Sequence, residues 1–295
     1  MQKLRIVLLG MGMVCSGFFV NVKAENLSNK NTVSKQITLD QSIDSIYNQI
    51  EFSEGEMLSK KAFKKAYIGY LNLKGQGLLN DHKNLLSIAD FSLSANKKRF
   101  WVIDLATKTV LFHTLVAHGQ GTGEEFAHQF SNKENSHESS IGFYITDNTY
   151  TGHNGYSLRL NGMDKGYNSN ALERAIVMHG ADYVSETFIK GNKRLGRSWG
   201  CPAVPSTLAK PIINAIKDST CLYIYYPDKK YLAESRWLKT PEIPGGFLQQ
   251  EDAPNKIKQS PHTLLAQRIN PENGQENELQ YKHGAITSPV SGNTE

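Results

Sequence analysis

Seven short runs rich in β-branched and aromatic residues lie between positions 85 and 226, and they constrain the fold more than any other feature. They are LLSIADF (85–91), RFWVIDL (99–105), VLFHTLVA (110–117), IGFYIT (141–146), YSLRL (156–160), AIVMH (175–179) and CLYIYY (221–226). Each has the length and composition of a strand. Gly-, Ser- and Asn-rich stretches separate them: GQGTGEE (119–125), SNKENSHESS (131–140) and TGHNG (151–155). The short ATKT between the second and third runs reads as a hairpin connection. Helical signal inside the region is confined to one turn near Leu172–Ala175 and a helix that Ser206 caps and that reaches Lys217, with Pro211 in its early turns. Many strands and few helices make this a mostly β, or α+β, domain.

The flanks read differently. Lys3 and Arg5, the apolar run Ile6–Val20 and the small-residue site before Glu25 predict a secretory signal peptide over 1–24. Residues 25–55 form a polar linker that turns helical where Ile43, Ile46 and Ile50 recur at helical spacing. Ser59 opens a second helix, ended by Gly75 and Gly77, so 56–84 is a helical segment packing on the core. The domain proper spans 85–227. A C-terminal extension follows over 228–250, in which Trp237, Leu238, Ile243 and Phe247 are candidates to pack on it, and 251–295 is a polar, disordered tail. Loss of the signal removes Lys3, Arg5 and Lys23 and no acid, taking the formal charge from +5 to +2. That balance, with no basic block carrying interleaved aromatics, excludes a nucleic-acid partner. No further stretch is apolar enough to span a membrane once the signal is cleaved. The expected location is periplasmic or secreted.

The exported chain keeps two cysteines, Cys201 and Cys221. Cys201 sits in GRSWGCPAV (196–204), behind two glycines and a serine. A reactive thiol needs a base, donors for an oxyanion and room for substrate. His179, at the end of the AIVMH run before Gly180, is the candidate base. Gly200 allows a close backbone approach, so the amides of Gly200 and Cys201, with the Ser198 hydroxyl, are candidate oxyanion donors. Lys193, Arg194 and Arg197 surround the thiol in sequence with positive charge. The rival reading is a Cys201–Cys221 disulfide, natural in an oxidising compartment and worth roughly 3 kcal/mol in loop entropy.

His179-Gly180, a loop, then Ser198-Trp199-Gly200-Cys201 resembles the signature of the L,D-transpeptidases that remodel peptidoglycan. VAHGQGTG (116–123), YTGHNGYSLRLNGMD (150–164) and NALERAIVMHGADYVS (170–185) are similar to the murein L,D-transpeptidase catalytic domain family in the same order. The resemblance implies a β-sandwich of mixed sheets with a few short helices. It implies Cys201 as the nucleophile, acylated by a tetrapeptide stem with release of D-Ala, and His179 as its base, oriented by a backbone carbonyl. An amine acceptor, or an attached lipoprotein, then gives a 3→3 cross-link; water as acceptor gives a carboxypeptidase. A wall-binding module without catalysis, holding the disulfide, is the alternative. The chain departs from many relatives in having Ala203 two residues after the cysteine, where Arg or Asn is frequent, and Arg197 is the candidate to supply that charge. No cofactor and no metal is implied; His118, His128, His137 and His153 match no ligand spacing. His118 and Asn132 are candidate substrate contacts, with Gly180 and Tyr183 beside the cleft.

Overall fold

The computed structural model describes residues 38–52 and 57–241. The expected signal at 1–24, most of the linker, Ile243, Phe247 and the tail at 251–295 lie outside the described residues. A capping box opens α1 (Leu39–Gln49): the Gln41 amide donates to the Thr38 hydroxyl, and the Thr38 amide donates to the Gln41 side chain. The second helix, α2 (Lys60–Gly75), follows Ser59, whose side chain makes no capping bond, and gives out before Gly77 at φ +68°. The remaining elements are β1 (Leu85–Asp90), β2 (Phe100–Asp104), β3 (Thr109–Thr114), β4 (Gly142–Gly152), β5 (Gly155–Gly162), β6 (Val177–Ala181), α3 (Glu186–Asn192), β7 (Ala203–Pro205), α4 (Ser206–Ile216), β8 (Cys221–Tyr225) and α5 (Lys229–Glu234).

The fold is mostly β with a few short helices, as the run of strand-like segments predicts. Its eight strands hydrogen-bond in the order β3-β2-β1-β8-β4-β5-β6-β7. The sheet is mixed: β1–β8 and β6–β7 are parallel, the other pairs antiparallel. Chain leaving β3, at one end of that order, reaches β7 at the other. The Ala117 amide donates to Ala203 O at 2.8 Å, Ser198 N to His118 O at 3.0 Å and Gln120 N to Ser198 O at 2.8 Å. The segment that follows β3 therefore meets β7 and the turn before it through isolated bridges.

Helices pack on the sheet. A Cβ added to Gly69 of α2 would stand 2.0–2.6 Å from the Phe143 ring of β4, so the glycine is what lets helix and sheet approach. Phe143 stacks on Tyr223 of β8 at 4.1 Å, and both are fully buried. Each such side chain contributes about 1.5–3 kcal/mol by leaving water. On the other flank, α4 buries Ile212, Ile213 and Ile216. Pro205 rather than Ser206 is its N-cap, one residue earlier than the sequence suggests.

A buried carboxylate fastens the C-terminal segment. Asp164 accepts from the Phe143 amide at 2.7 Å, from Tyr231 Oη at 3.2 Å and from Ser235 Oγ. Burial pushes its pKa up, and these donors work against that shift. Trp237, 2% exposed, donates to Met163 O at 2.8 Å, so the segment after β8 packs on the domain as its apolar residues predict.

Candidate active site

Cys201 stands in a tight turn just before β7, beside the segment that follows β3. Gly200 takes φ +122°, a backbone region that side chains rarely adopt, and its missing Cβ would lie 2.8 Å from Glu138 O. Three local bonds set the turn. The Gly200 amide donates to Ser198 Oγ at 3.1 Å, Ser198 Oγ donates to Cys201 O at 2.6 Å, and Ser139 Oγ donates to Gly200 O at 3.0 Å. Ser139, fully buried, also accepts from the Gly119 amide at 3.0 Å. One hydroxyl thus ties the loop after β3 to the cysteine turn.

The strand beside the turn supplies the rest. β6 runs parallel to β7 with His179 opposite Ala203, which brings Val177 level with Cys201. The Val177 amide lies 3.4 Å from Cys201 Sγ, and Sγ lies 3.7 Å from Ala175 O. His179 is 5% exposed and its Nδ1 sits 2.9 Å from Gly180 O. A carbonyl only accepts, so Nδ1 carries the hydrogen and Nε2 is left as the basic nitrogen. Burial lowers the His179 pKa, with the Gly180 carbonyl opposing. Burial raises the Cys201 pKa, while the Val177 amide and the Arg174 charge pull it down.

Arg174 is the charge that reasoning from the sequence overlooked. Its guanidinium is held from four sides: it donates to Ser131 O, Ser140 Oγ, Ser136 Oγ and Glu138 O, with distances of 2.7 Å to each of the two carbonyls. All four acceptors are neutral, so its positive charge stays available to the sulfur. The signal in the sequence was an arginine three residues before the strand that carries His179, in NALERAIVMH.

The sequence profile of the L,D-transpeptidase catalytic domain matches residues 54–225, more than half of the chain. The chain belongs to the L,D-transpeptidase catalytic domain family. Among solved structures it is similar to an L,D-transpeptidase from Mycobacterium smegmatis, at 11% identity and a TM-score of 0.31, over 49% of this chain and 59% of that one. It is similar to one from Mycobacterium tuberculosis H37Rv at 13% identity and a TM-score of 0.29, over 49% and 58%. A third, from Xylanimonas cellulosilytica DSM 15894, gives 11% identity and a TM-score of 0.28, over 64% and 95%. The chain spans less than two thirds of the length of the two mycobacterial structures. No curated protein matches it.

Within this L,D-transpeptidase fold several expected residues hold other positions. Cys201 and Cys221 are both free, which removes the disulfide: Cys221 is fully buried in β8, register-paired with Leu86 and Ile145. The Gly200 amide donates to Ser198 Oγ and the Ser198 hydroxyl donates to Cys201 O, so neither is an open oxyanion donor. The Cys201 amide lies against its own sulfur and has no carbonyl or hydroxyl partner among the described residues. His118 does not line a cleft. It is fully buried, with Nδ1 2.7 Å from Arg99 Nη2 and Nε2 3.2 Å from Gly123 O. Burial beside Arg99 takes its pKa down to about 3. Arg197 is engaged elsewhere: it donates to Gly123 O at 3.0 Å and pairs with Glu124 at 2.7 Å, a carboxylate shared with Arg194, and it is not among the charges acting on the thiol. It therefore does not replace the charge missing at Ala203. Asn132 holds two loops together, donating to Ser169 Oγ at 3.1 Å and accepting from the Asn170 amide at 2.9 Å. It lines a separate cavity of about 240 Å³ with Phe130, Tyr167, Tyr226 and Asp228. Gly180 presents its carbonyl to His179 and its bare Cα to α4, where a Cβ would meet Ala209 at 2.8 Å. Tyr183 packs on Gly196, and burial with the nearby Cys201 pushes its phenol up to about 12.

Proposed function

We propose that the chain is a cysteine-dependent peptidoglycan acyltransferase, with Cys201 as nucleophile and His179 as base. What supports the reading above all is the convergence on one sulfur of the Val177 amide and the Arg174 charge, with His179 on the same strand, its ring fixed by Gly180 O. Burial leaves both thiol and imidazole neutral at rest, so the proton moves from Sγ to Nε2 as attack begins. The sulfur bonds to the carbonyl carbon of the stem's third residue, and the new oxyanion faces the Cys201 amide. Collapse breaks the peptide bond. The leaving D-Ala amine takes the proton from Nε2, and a thioester remains. An acceptor amine then gives its proton to Nε2, bonds to the same carbon and expels the sulfur, forming a 3→3 cross-link; water in its place gives a carboxypeptidase. Ser198, Gly200 and Ser139 act as positioning residues for the turn. The catalytic unit is 85–227 with the helical segment before it, and the 1–24 signal places it in the periplasm or outside the cell.

Intact mass after incubation with a carbapenem tests this. An adduct is expected on the wild type and on Cys221→Ala, absent from Cys201→Ala and much slower to form on His179→Ala. Purified muropeptides then separate transfer from hydrolysis. An adduct that persists in Cys201→Ala, or none on the wild type, overturns the reading.

A further inference from the structure

His118 is fully buried and bonded through both ring nitrogens, and the acylation chemistry gives it no task. The Arg99 guanidinium, also fully buried, lies over the Phe91 ring at 4.6 Å. It donates to Leu93 O at 2.7 Å, to Val116 O at 3.1 Å and to His118 Nδ1 at 2.7 Å. A guanidinium only donates, so Nδ1 is the accepting nitrogen and Nε2 carries the hydrogen, which it gives to Gly123 O at 3.2 Å. The relay from Arg99 through His118 to Gly123 therefore runs in one direction, through a neutral ring.

That relay joins the two ends of the loop 118–123, and the cysteine turn is laid on this loop. The His118 carbonyl accepts from the Ser198 amide at 3.0 Å, and the Gln120 amide donates to Ser198 O at 2.8 Å. Thr122 Oγ1 accepts from the Ser139 amide at 2.7 Å, and Ser139 Oγ in turn donates to Gly200 O. A Cβ on Gly119 would stand 2.9 Å from Gly200 Cα, so the two backbones lie against each other. Two routes thus lead from the loop to Ser198 and Gly200, the residues that set the course of the chain into Cys201.

We propose that His118 is a positioning residue for Cys201: its ring, fixed by Arg99, holds the loop 118–123 in the shape that places the Cys201 amide. The inference rests on the acyltransferase reading, in which that amide faces the oxyanion.

Two rates test it, both read by intact mass with peptide mapping to assign the label to Cys201. Acylation by a carbapenem needs the oxyanion donor, whereas alkylation by iodoacetamide needs the sulfur alone. Both are read about 15 °C below the Tm of each variant, where little of the chain is unfolded. His118→Leu removes both bonds, and His118→Asn keeps an acceptor for Arg99 but is too short to reach Gly123 O. Each is expected to lower the ratio of acylation to alkylation by at least about tenfold, as loss of an oxyanion donor does. His118→Gln offers one acceptor and a donor that reaches Gly123 O, and is expected to return the ratio to within about threefold of the wild type. Gly69→Ala, which disturbs packing between α2 and β4, is the control and is expected to keep the wild-type ratio. A ratio unchanged in either His118→Leu or His118→Asn overturns the proposal and leaves the acyltransferase reading standing. So does a fall that His118→Gln does not relieve or that Gly69→Ala shares. A wild type that is alkylated but takes no carbapenem adduct overturns the acyltransferase reading and this inference with it.

Discussion

Replacing Ser139 by alanine removes one oxygen and unpairs two buried backbone groups at once. Its hydroxyl accepts from the Gly119 amide and donates to the Gly200 carbonyl, both at 3.0 Å, and Ser139, Gly119 and Gly200 are all buried. A buried polar group left without its partner costs about 1–3 kcal/mol, so with two unpaired Ser139→Ala is expected to lose about 2–6 kcal/mol. For a domain of this size each kcal/mol moves the midpoint by about 2–4 °C, giving a fall in Tm on the order of 10 °C. Carbapenem acylation is expected to slow as well, since the turn loses the anchor that holds Gly200 and hence Cys201. Ser87→Ala is the control. Ser87 is equally buried, but its hydroxyl has no partner among the described residues, so its loss is expected to leave Tm level or raise it. The two measurements are thermal unfolding by circular dichroism and adduct formation by intact mass. If Ser139→Ala unfolds within 2 °C of the wild type, a tolerance set at about the smallest shift that one kcal/mol produces, and acylates at the same rate, the reasoning is refuted.

Arg174→Met removes a charge that holds the Cys201 pKa down, so the pH midpoint of alkylation by iodoacetamide is expected to move up; an unchanged or lower midpoint counts against that role. Acylation of the wild type is expected to rise with pH. His179, its pKa lowered by burial, is already the neutral base at pH 7, and Cys201, its pKa raised by burial, gains thiolate only as the pH climbs further, so a rate that falls between about pH 7 and 9 contradicts the assignment. Gly69→Ala drives a methyl into the Phe143 ring and is expected to cost about 1–3 kcal/mol in denaturant unfolding without abolishing the adduct; a stabilised variant would show that α2 yields freely.

The strand series was legible because aromatic and β-branched residues cluster wherever a sheet is covered on both faces, as in β1 and β8. What escaped was short or dictated from a distance. β7 is three residues ending in a proline, a strand only because β6 lies beside it. α3 buries none of its residues, so it carries no apolar stripe to read. In the site, His179 and Cys201 stood out through their glycine neighbours. The charges did not, since nearness in sequence favoured Arg194 and Arg197, which turn to Glu124, over Arg174, which the parallel pairing of β6 and β7 carries to the sulfur. Ser198 and Gly200 were recognised as a unit, but a sequence does not say that a hydroxyl and an amide will satisfy each other.

The bridging of the segment after β3 to β7 also fixes when the thiol comes of age. Its Val177 neighbour, its Ser139 anchor and the Ala117–Ala203 seam come from segments far apart in the chain, and such pairings form late because loop closure must precede them. A chain caught half-folded carries Cys201 as an ordinary cysteine, with neither the Arg174 charge nor a fixed imidazole beside it. The surroundings of the sulfur at position 201 are therefore a certificate of completed folding: a thiol whose pKa burial raises reacts more slowly with a general alkylating probe than the same cysteine in an unfinished chain, so the slow fraction counts finished molecules rather than synthesised ones.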